Sequence, residues 1–292
     1  MNLVGLLPYV ISGVGVGAVY ALSGVGIVVL YRASGVLNFA FGALGALGAY
    51  VAASCLEAGY PQIVAWIAAV ATSTCMSLIY GLCLAPYLAQ RDRMVRSTAT
   101  LGFALVLLGF CEWYWGDTPR RLVLPTDSEA LDFGTVRLTY TRMVSLSLAV
   151  MMMAAINVLL ARTRLGLQMR ALSNNRELSS LLGIRVLRVD VSAWVISGLF
   201  AGVTGLLLAN LVRLQATVLT FLVIPAFAAA IVGQLASLSI TVAAGIVIGL
   251  VEAMAITVPG FAEYRSATPF LLAIAAMLFI RRASMRNASS EQ

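Results

Sequence analysis

No histidine occurs in this sequence, and its four cysteines form no CxxC pair. The missing imidazole excludes His-based metal sites, Ser-His-Asp triads, Cys-His pairs and imidazole proton relays. Because the cysteines lie mostly inside apolar runs, we interpret them as small core residues and expect no disulfide or metal framework. A G-x-x-x-x-G-K-[ST] phosphate loop is also missing, so the chain has no P-loop site for ATP. A membrane enzyme is therefore the least supported class of function.

Charged residues are scarce as well. They make up 11% of the 292 residues, against 61% hydrophobic residues, and the mean hydropathy is +0.96. Soluble domains carry about 25% charged and 45–50% apolar residues, so this composition predicts an integral membrane protein surrounded by lipid. Spans that pack against one another predict a single transmembrane domain over residues 1–292. The net charge of +7 does not indicate nucleic-acid binding, because the 19 basic residues gather in short loops beside apolar runs.

Apolar runs long enough to cross a bilayer recur along the chain, since a ~30 Å hydrocarbon core requires about 20 helical residues. The predicted spans are residues 8–31, 35–56, 62–88, 98–115, 143–161, 191–212 and 267–280. Residues 221–258 are too long for one crossing and contain Pro225 and the pair Gly233–Gln234, so they predict two crossings or a half-helix and one crossing. The N-terminal run is too long for the core of a signal peptide, so we expect the first span to be retained. The sequence predicts an all-α polytopic membrane protein with about 8–9 transmembrane helices.

The distribution of arginine predicts which loops face the cytoplasm. Residues 162–190 contain six arginines and two acidic residues, and a second basic patch lies at residues 91–96. Arginines also follow the last span, so the tail at residues 281–292 is expected on the same side. Residues 116–142 carry four arginines and four acidic residues behind an aromatic triplet at residues 113–115. This balance indicates an external loop with an interfacial anchor.

The loop at residues 162–190 is the longest polar interruption between apolar blocks, and its alternation of charge with leucine favours a short amphipathic helix. Asn174 followed by Glu177 has the spacing of a helix-start capping box, and Gly183 is a candidate C-terminal cap. A capped helix between spans is suited to contact a partner protein. On charge and capping alone, the alternative is a solvated connector that only sets the membrane orientation.

Two polar side chains within the apolar runs are candidate functional residues. Asn38 needs a partner in hydrocarbon, so it either bonds to a neighbouring helix or lines a hydrated path. Glu252 is a candidate because intramembrane carboxylates are costly and are kept mainly for function. Alternatively, Glu252 lies near the end of its span and reaches the membrane interface.

Glycines recur at helical spacing in two of the apolar runs. Gly13 and Gly17 lie four residues apart in the first span, as do Gly245 and Gly249 near the C-terminal end of the chain. This spacing lets helix backbones approach closely inside a membrane bundle. Both pairs are predicted to be helix-packing faces.

Four segments carry a resemblance to a known family. In chain order they are GAVYALSGVGIVVLYRASGVLNFAFGALGALGAY, STATLGFALVL, TRLGLQMRALSNNRELSSLLGIRVLRV and GIVIGLVEA. They resemble the first two spans, the fourth-span opening, the signature cytoplasmic loop and the late glycine-and-glutamate run of the branched-chain amino acid ABC-transporter permeases. These permeases are the membrane subunits of high-affinity leucine/isoleucine/valine importers. The similarity is collinear over nearly the whole chain.

The resemblance implies a type II ABC importer permease, which forms a two-fold dimer of usually two related subunits with the translocation path along their interface. It also implies two cytoplasmic ATPase subunits that carry ATP and Mg²⁺, and an extracytoplasmic solute-binding protein. No cofactor is expected on this chain itself. The expected location is the bacterial cytoplasmic (inner) membrane, and the expected solute is a branched-chain amino acid or a related small organic compound.

In such permeases the short helix of the central loop seats in a groove of the ATPase. Carried onto this chain, that contact falls on Arg170, Asn174, Asn175, Arg176, Glu177, Leu182 and Gly183. For the translocation path we predict Asn38, Phe41, Thr100 and Gln234, with Glu252 as a structural or gating residue.

Two motifs depart from the family pattern, and the second of them reads Gly233-Gln234-Leu235-Ala236-Ser237 here. Phe41 stands where the motif Asn-Phe-Ala-His-Gly usually has histidine, which makes a position on the predicted path apolar and unable to titrate. Gln234 replaces the second glycine of the usual Gly-Gly-x-Gly-Ser run, which adds a side chain where backbones meet closely. Both departures bear on the solute, which could be larger or more apolar than a branched-chain amino acid.

A self-contained secondary transporter or channel is the alternative function, with Glu252 as its coupling carboxylate. Such a carrier needs no capped docking helix. Its coupling would rest on ionisable residues within the membrane, and these are scarce here. The central loop therefore favours the importer permease.

Overall fold

The computed structural model describes residues 3–120, 122, 130–133, 136–255, 268–275 and 278, and these are almost entirely helical. Residues 268–275 form a helical stretch near the C-terminal end, to which we give no label. The remaining elements are α1 (Leu3–Ser34), α2 (Phe41–Glu57), α3 (Gln62–Ile79), α4 (Ala85–Leu88), α5 (Arg93–Trp115), β1 (Ala130–Phe133), β2 (Val136–Thr139), α6 (Tyr140–Arg162), α7 (Arg164–Asn174), α8 (Arg176–Leu181), α9 (Val186–Leu211), α10 (Ala216–Phe221), α11 (Ile224–Val232) and α12 (Leu238–Ala255).

Five of these helical stretches are long and apolar enough to cross a membrane. They are Tyr9–Ser34, Gln62–Leu88, Arg93–Trp115, Val186–Leu211 and Leu238–Ala255. A sixth is added if α6 and α7, which meet at an angle of 75°, count as one broken span. Two further apolar helices, Phe41–Glu57 and Ala216–Val232, are shorter. The helical membrane fold is confirmed, whereas the number of 8–9 crossings stays a prediction, because the described residues contain five or six stretches of sufficient length and part of the predicted span at 267–280 lies outside them.

A short antiparallel hairpin is the one departure from the expected all-α fold among the described residues. Strand β1 pairs with β2, with Ala130 opposite Thr139 and Phe133 opposite Val136. The hairpin lies in the predicted external loop, much of which is outside the described part of the chain. Alternating apolar and polar residues in VRLT, and in LDF of the first strand, are compatible with such strands.

The third span contains a π-helical turn. Residues Tyr80–Leu84 form it between α3 and α4, and Pro86 follows within the first turn of α4. Proline has no backbone N–H to donate to the preceding turn, and a π-bulge is one way in which a helix absorbs that loss without ending. The helix therefore continues to Leu88 as the single span that the sequence predicts.

Helices α1 and α9 form the centre of the bundle. In their most apolar windows 83% and 72% of the residues are buried, against 28% in the third span and in α5 and 33% in α12. The last three therefore keep broad apolar faces, which in a membrane protein meet lipid or another subunit.

Glycines bring α1 and α12 into direct backbone contact. A Cβ atom added at Gly249 would lie 2.3 Å from the backbone nitrogen of Gly17, and one at Gly17 would lie 2.8 Å from Cα of Ile246. Gly245 faces Ala21 in the same way, with a virtual Cβ 2.6 Å from the Ala21 Cα. The two glycine pairs predicted as packing faces therefore pack against each other. Only residues without a side chain allow this approach.

Gly17→Leu is expected to destabilise the fold by roughly 1–3 kcal/mol, the usual cost of forcing extra atoms into a closely packed site. Gly15→Leu is the matched control, because nothing lies within 4 Å of a Cβ atom at Gly15 on the same helix. Thermal unfolding of the two purified variants in detergent measures the difference. Equal loss of stability in both variants would contradict the close α1–α12 contact.

Two ends of the bundle are defined by side-chain contacts. At one end Arg96, in the first turn of α5, donates to the carbonyl of Ser34 at the end of α1 (2.8 Å), and α7 packs against α1. We call this the arginine end. At the opposite end Trp115 Nε1 donates to Ser54 Oγ near the end of α2 (2.7 Å). The two basic loops predicted to be cytoplasmic both lie at the arginine end, and the side of the membrane that it faces stays a prediction.

Candidate coupling segment and translocation cavity

Helix α7 begins at a sharp bend after α6. The hydroxyl of Thr163 accepts a hydrogen bond from the backbone N–H of Gly166 (3.3 Å), which caps the new helix. Gly166 packs against the turn before it, since a Cβ atom there would lie 2.5 Å from Cα of Leu160. Met169 and Leu172 are buried, so the face of α7 that carries them packs against the bundle.

Helix α8 is short and capped at both ends. Asn175 Oδ1 accepts from the backbone N–H of Leu178 (3.0 Å) at its start. At its end Gly183, with φ +85°, donates to Ser180 and Ile184 donates to Ser179 (both 3.1 Å). These two bonds form a Schellman motif, which suits glycine because the conformation is left-handed. The predicted C-terminal cap at Gly183 is confirmed.

The predicted start of the helix at Asn174 is wrong by one residue. Asn174 is the last residue of α7, and Asn175 is the N-cap, with an extended backbone (φ −150°, ψ 107°). Either asparagine of the pair can cap a helix chemically. Because the apolar face of α7 packs on the bundle, α7 continues through Asn174. Asn175 is then the residue that caps the start of α8.

We define the coupling segment as α7 and α8 together with residues 182–183. Six of the seven residues predicted to contact an ATPase are exposed on it: Arg170, Asn174, Asn175, Glu177, Leu182 and Gly183. Its most exposed large apolar side chains are Leu181 (84% exposed) and Leu182 (74%), followed by Leu167 and Leu178. The sequence prediction omitted Leu178 and Leu181, although a cluster of leucines in a charged loop was the available signal. Exposed leucines on a capped helix form an apolar surface suited to a protein partner.

Arg176, the seventh predicted contact, is directed inwards. Its guanidinium donates to the carbonyl of Ala33 at the end of α1 (3.2 Å) and forms an ion pair with Asp190 in α9. The carbonyl groups at a helix C-terminus carry partial negative charge, so α1 favours a cation at this point. Arg176 therefore fastens α8 to both central helices of the bundle.

Three of the predicted path residues, Asn38, Phe41 and Thr100, are completely buried. Asn38 lies in a non-helical stretch, because the predicted span from residue 35 begins as a helix only at Phe41. Gly35 has φ +71°, and Asn38 Oδ1 accepts from the N–H of Ala40 (3.1 Å), both of which interrupt a helix. Of the two alternatives for Asn38, the structure contains the interhelical bond, since its Nδ2 donates to Ser197 Oγ (3.4 Å).

Thr100 and Phe41 hold the same non-helical stretch in place. The hydroxyl of Thr100 accepts from the N–H of Phe39 (3.0 Å) and lies 3.0 Å from the carbonyl of Leu37. The ring of Phe41 packs on α1, where a Cβ atom at Gly26 would lie 2.7 Å from it. Neither residue lines either of two cavities among the described residues, which have volumes of about 240 Å³ and about 650 Å³.

Glu252 lines the larger of these cavities. Its Oε2 accepts a hydrogen bond from the hydroxyl of Tyr20 on α1 (2.9 Å). The cavity of about 650 Å³ lies between α1, α10, α12 and the helix at residues 268–275, and apolar side chains form most of its wall. Arg213 and Gln215 add polar groups, while Phe221 contributes an aromatic surface. An apolar chamber with a few polar groups is the usual form of a small-molecule site.

Gln234 lines the smaller cavity, of about 240 Å³, at the arginine end. The five predicted path residues are thus distributed over three places: the buried stretch beside α5, the larger cavity and the arginine end. Among the described residues, no group of three or more histidine, cysteine, aspartate or glutamate side chains is arranged to hold a metal ion.

Comparison with known proteins identifies the family. Residues 9–278 match the family described as branched-chain amino acid transport system / permease component. The chain belongs to this family. The permease is 28% identical over 228 residues to a probable branched-chain amino acid transport permease protein, LivH, of Methanocaldococcus jannaschii, covering 75% of this chain and 71% of the relative. It is 25% identical over 288 residues to the high-affinity branched-chain amino acid transport system permease protein BraD of Pseudomonas aeruginosa, covering 94% and 93%.

A solved structure of PsaBC from Streptococcus pneumoniae in complex with Fab is also similar to the permease. The TM-score is 0.49 at 14% sequence identity, over 94% of this chain and 90% of that chain. Family membership and the apolar helices together make the permease a multi-pass membrane protein and a transport subunit. They favour the importer permease over the self-contained carrier.

The turn at Gln234 has a backbone that favours the glycine usual in the family. Gln234 and Leu235 both have φ of 54°, a left-handed conformation that is uncommon without glycine. This conformation costs a residue with a side chain roughly 1–2 kcal/mol, whereas the extra chain entropy of glycine costs roughly 0.5–1 kcal/mol. The permease therefore has a left-handed turn at Gln234 although the residue there carries a side chain.

Gln234→Gly is expected to stabilise the permease by roughly 0.5–1 kcal/mol, the difference between these two costs. Gln168→Gly in the helix α7 is the control, and it is expected to destabilise by about 1 kcal/mol. Thermal unfolding in detergent distinguishes the two signs. A loss of stability in both variants would mean that the side chain of Gln234 contributes more than its backbone costs.

Proposed function

We propose that this chain is one permease subunit of an ATP-binding-cassette importer in the cytoplasmic membrane, with its C-terminus in the cytoplasm. It would pair with a second related permease, two ATPase subunits that bind ATP and Mg²⁺, and an extracytoplasmic solute-binding protein. The observation that carries the proposal is the coupling segment. It offers the exposed Leu181 and Leu182 to a partner and is fastened to the bundle through Arg176.

The contacts of the coupling segment suggest how ATPase movement reaches the solute. Displacement of α8 acts on α1 and α9 through Arg176, its ion pair with Asp190 and its bond to Ala33. Helix α1 is in backbone contact with α12 through Gly17 and Gly249, so the two helices move together. Rigid-body movement of packed helices is a common form of switching between two states. Because Tyr20 on α1 and Glu252 on α12 face the larger cavity, joint movement of these helices relative to α10, which forms another wall, would alter its shape.

The larger cavity suits an aliphatic amino acid or a related small zwitterion. Its apolar wall would accommodate the side chain, Glu252 would attract the ammonium group, and Arg213 would attract the carboxylate. The curated relatives are named for branched-chain amino acid transport, which agrees with this chemistry. The volume of about 650 Å³ leaves room for water or for a larger solute.

Reconstitution into proteoliposomes tests the importer. The permease is combined with the related permease, ATPases and solute-binding protein that purify with it, and uptake of radiolabelled leucine is measured with and without internal ATP. We expect uptake to require ATP and the binding protein. Uptake by the permease alone under a proton gradient would instead support a self-contained carrier.

Glu252→Gln is expected to lower uptake by roughly tenfold, equivalent to about 1.4 kcal/mol, because the amide no longer attracts an ammonium group. ATP-dependent stimulation should remain, since the coupling segment is unchanged. Tyr20→Phe is the comparison variant, as it removes the hydroxyl that donates to Glu252 and keeps the carboxylate. A Glu252→Gln variant with wild-type uptake would remove Glu252 from solute recognition.

A further inference from the structure

The smaller cavity has an unusual concentration of positive charge. Four arginines from three separate helices line its volume of about 240 Å³: Arg32 of α1, Arg93 and Arg96 of α5, and Arg176 of α8. None of its lining residues is acidic. At about 30 Å³ for each water molecule, the cavity holds roughly eight waters, which is ample for a small oxyanion.

Two of these arginines are compensated within the chain. Arg96 donates to the carbonyl of Ser34 (2.8 Å), and Arg176 contacts the Ala33 carbonyl and the carboxylate of Asp190. These bonds hold two guanidinium groups at the cavity wall.

The other two arginines have no such compensation. The side chains of Arg32 and Arg93 form no hydrogen bond or ion pair with any other residue in the described part of the chain. Arg93 Nε lies beside the turn at Gly35, where a Cβ atom would approach it to 3.7 Å. Arg93 and Arg176 both repel Arg96, and Arg170 repels Arg32, so an anion with several oxygen atoms in this cavity would relieve that repulsion. Guanidinium groups bind phosphate through paired N–H donors, which a point charge does not provide.

We propose that this cavity binds a phosphate group, with Arg32 and Arg93 as its main contacts and Arg96 and Arg176 as fixed supports. The group belongs either to an anionic phospholipid at the membrane surface or to a free phosphate compound. Anionic headgroups accumulate at basic surfaces on the cytoplasmic side of membranes. Phosphate binding at the arginine end does not depend on which solute is transported.

The position of the cavity gives the bound anion a structural consequence. Its walls also include Ser173 and Asn174 at the end of α7 and the turn at Gln234. An anion there would bridge the coupling segment, α1, α5 and the turn before α12. Occupancy would therefore stiffen the connection that carries ATPase movement into the bundle.

Thermal unfolding of the delipidated permease in a neutral detergent tests the proposal with three additives: phosphatidylglycerol, phosphatidylcholine and inorganic phosphate. We expect phosphatidylglycerol or phosphate to raise the Tm, and phosphatidylcholine to have no such effect. The rise should fall by at least half in the double variant Arg32→Gln/Arg93→Gln. It should be intermediate in Arg32→Lys/Arg93→Lys, which keeps the charge and loses the paired donors.

The matched control is Arg91→Gln/Arg188→Gln. It removes the same charge from two exposed arginines that do not line the cavity. A response to phosphatidylglycerol alone assigns the site to a lipid headgroup, and a response to phosphate alone assigns it to a free anion. Equal responses in the glutamine variant and the control, or no response in the wild type, would overturn the proposal. If the variant Arg32→Gln/Arg93→Gln lost ATPase binding but kept the full rise in Tm with the anionic additives, the proposal would also be overturned. Arg32 and Arg93 would then be contacts of the ATPase.

Discussion

Leu181→Asp is expected to reduce ATP-driven uptake to less than a tenth of the wild-type rate and to abolish co-purification of the ATPase. Leu181 is the most exposed large apolar side chain of the coupling segment, and Leu182 beside it is nearly as exposed. Burial of a leucine at an interface contributes roughly 1.5–3 kcal/mol. An aspartate at the same place forfeits this contribution and adds the cost of burying a charge.

Leu181→Met is the matched control for this experiment, because methionine is similar in volume and polarity and should retain most of the uptake. Both variants should unfold at the wild-type temperature, since the side chain is solvent-exposed in the isolated permease. Pull-down of the ATPase and leucine uptake in proteoliposomes provide two independent measurements. Normal ATPase recovery with Leu181→Asp would mean that the ATPase docks on another part of the permease.

The coupling segment could be located from the sequence because its signals are local. Gly183 is required where the chain must take a left-handed conformation after a helix, and this requirement depends only on nearby residues. The capping pattern predicts a helix start at Asn174, one residue early, because two adjacent asparagines satisfy the same pattern. The choice between them depends on how far the buried face of α7 extends, which is a property of tertiary packing.

The direction of Arg176 could not be predicted from its neighbours. It bonds to Asp190, 14 positions along the chain, and to Ala33, 143 positions away. An arginine in a basic loop serves equally well on the surface or as an internal support. The packing of α8 against α1 and α9 decides between these roles. The residues next to Arg176 in the sequence do not indicate that packing.

The candidate path residues illustrate the same limit. The polarity of Asn38 within an apolar run correctly predicted that it needs a partner, but not that the partner is Ser197, 159 positions away. Glu252 likewise bonds to Tyr20, 232 positions away. The glycine pairs in α1 and α12 predicted close packing, whereas the identity of the helices that meet depends on the three-dimensional fold.

Arg176→Glu is expected to lower uptake at least tenfold while the bundle remains folded and inserted. The new carboxylate would face Asp190 and the carbonyl of Ala33, so three negative groups would replace an attractive contact. The native pair is partly exposed, at 32% and 14% of its side-chain surfaces. It therefore lies between exposed pairs, which contribute about 0.2–1 kcal/mol, and buried ones, whose disruption costs about 3–5 kcal/mol. We expect roughly 1–3 kcal/mol for releasing α8 from α1 and α9.

The charge-swapped variant Arg176→Asp/Asp190→Arg separates an internal support from a direct contact with the ATPase. If Arg176 acts by holding α8 against α9, the swap restores an ion pair between the same two helices, and uptake should recover to at least a third of the wild-type rate. If Arg176 instead binds an acidic residue of the ATPase, the swap leaves that residue facing a like charge, and uptake should stay as low as in Arg176→Glu. Comparison of the swap with the single variants Arg176→Asp and Asp190→Arg gives the coupling energy between the two positions. A coupling energy near zero would mean that movement of the ATPase enters the bundle by a route other than the contact between α8 and α9.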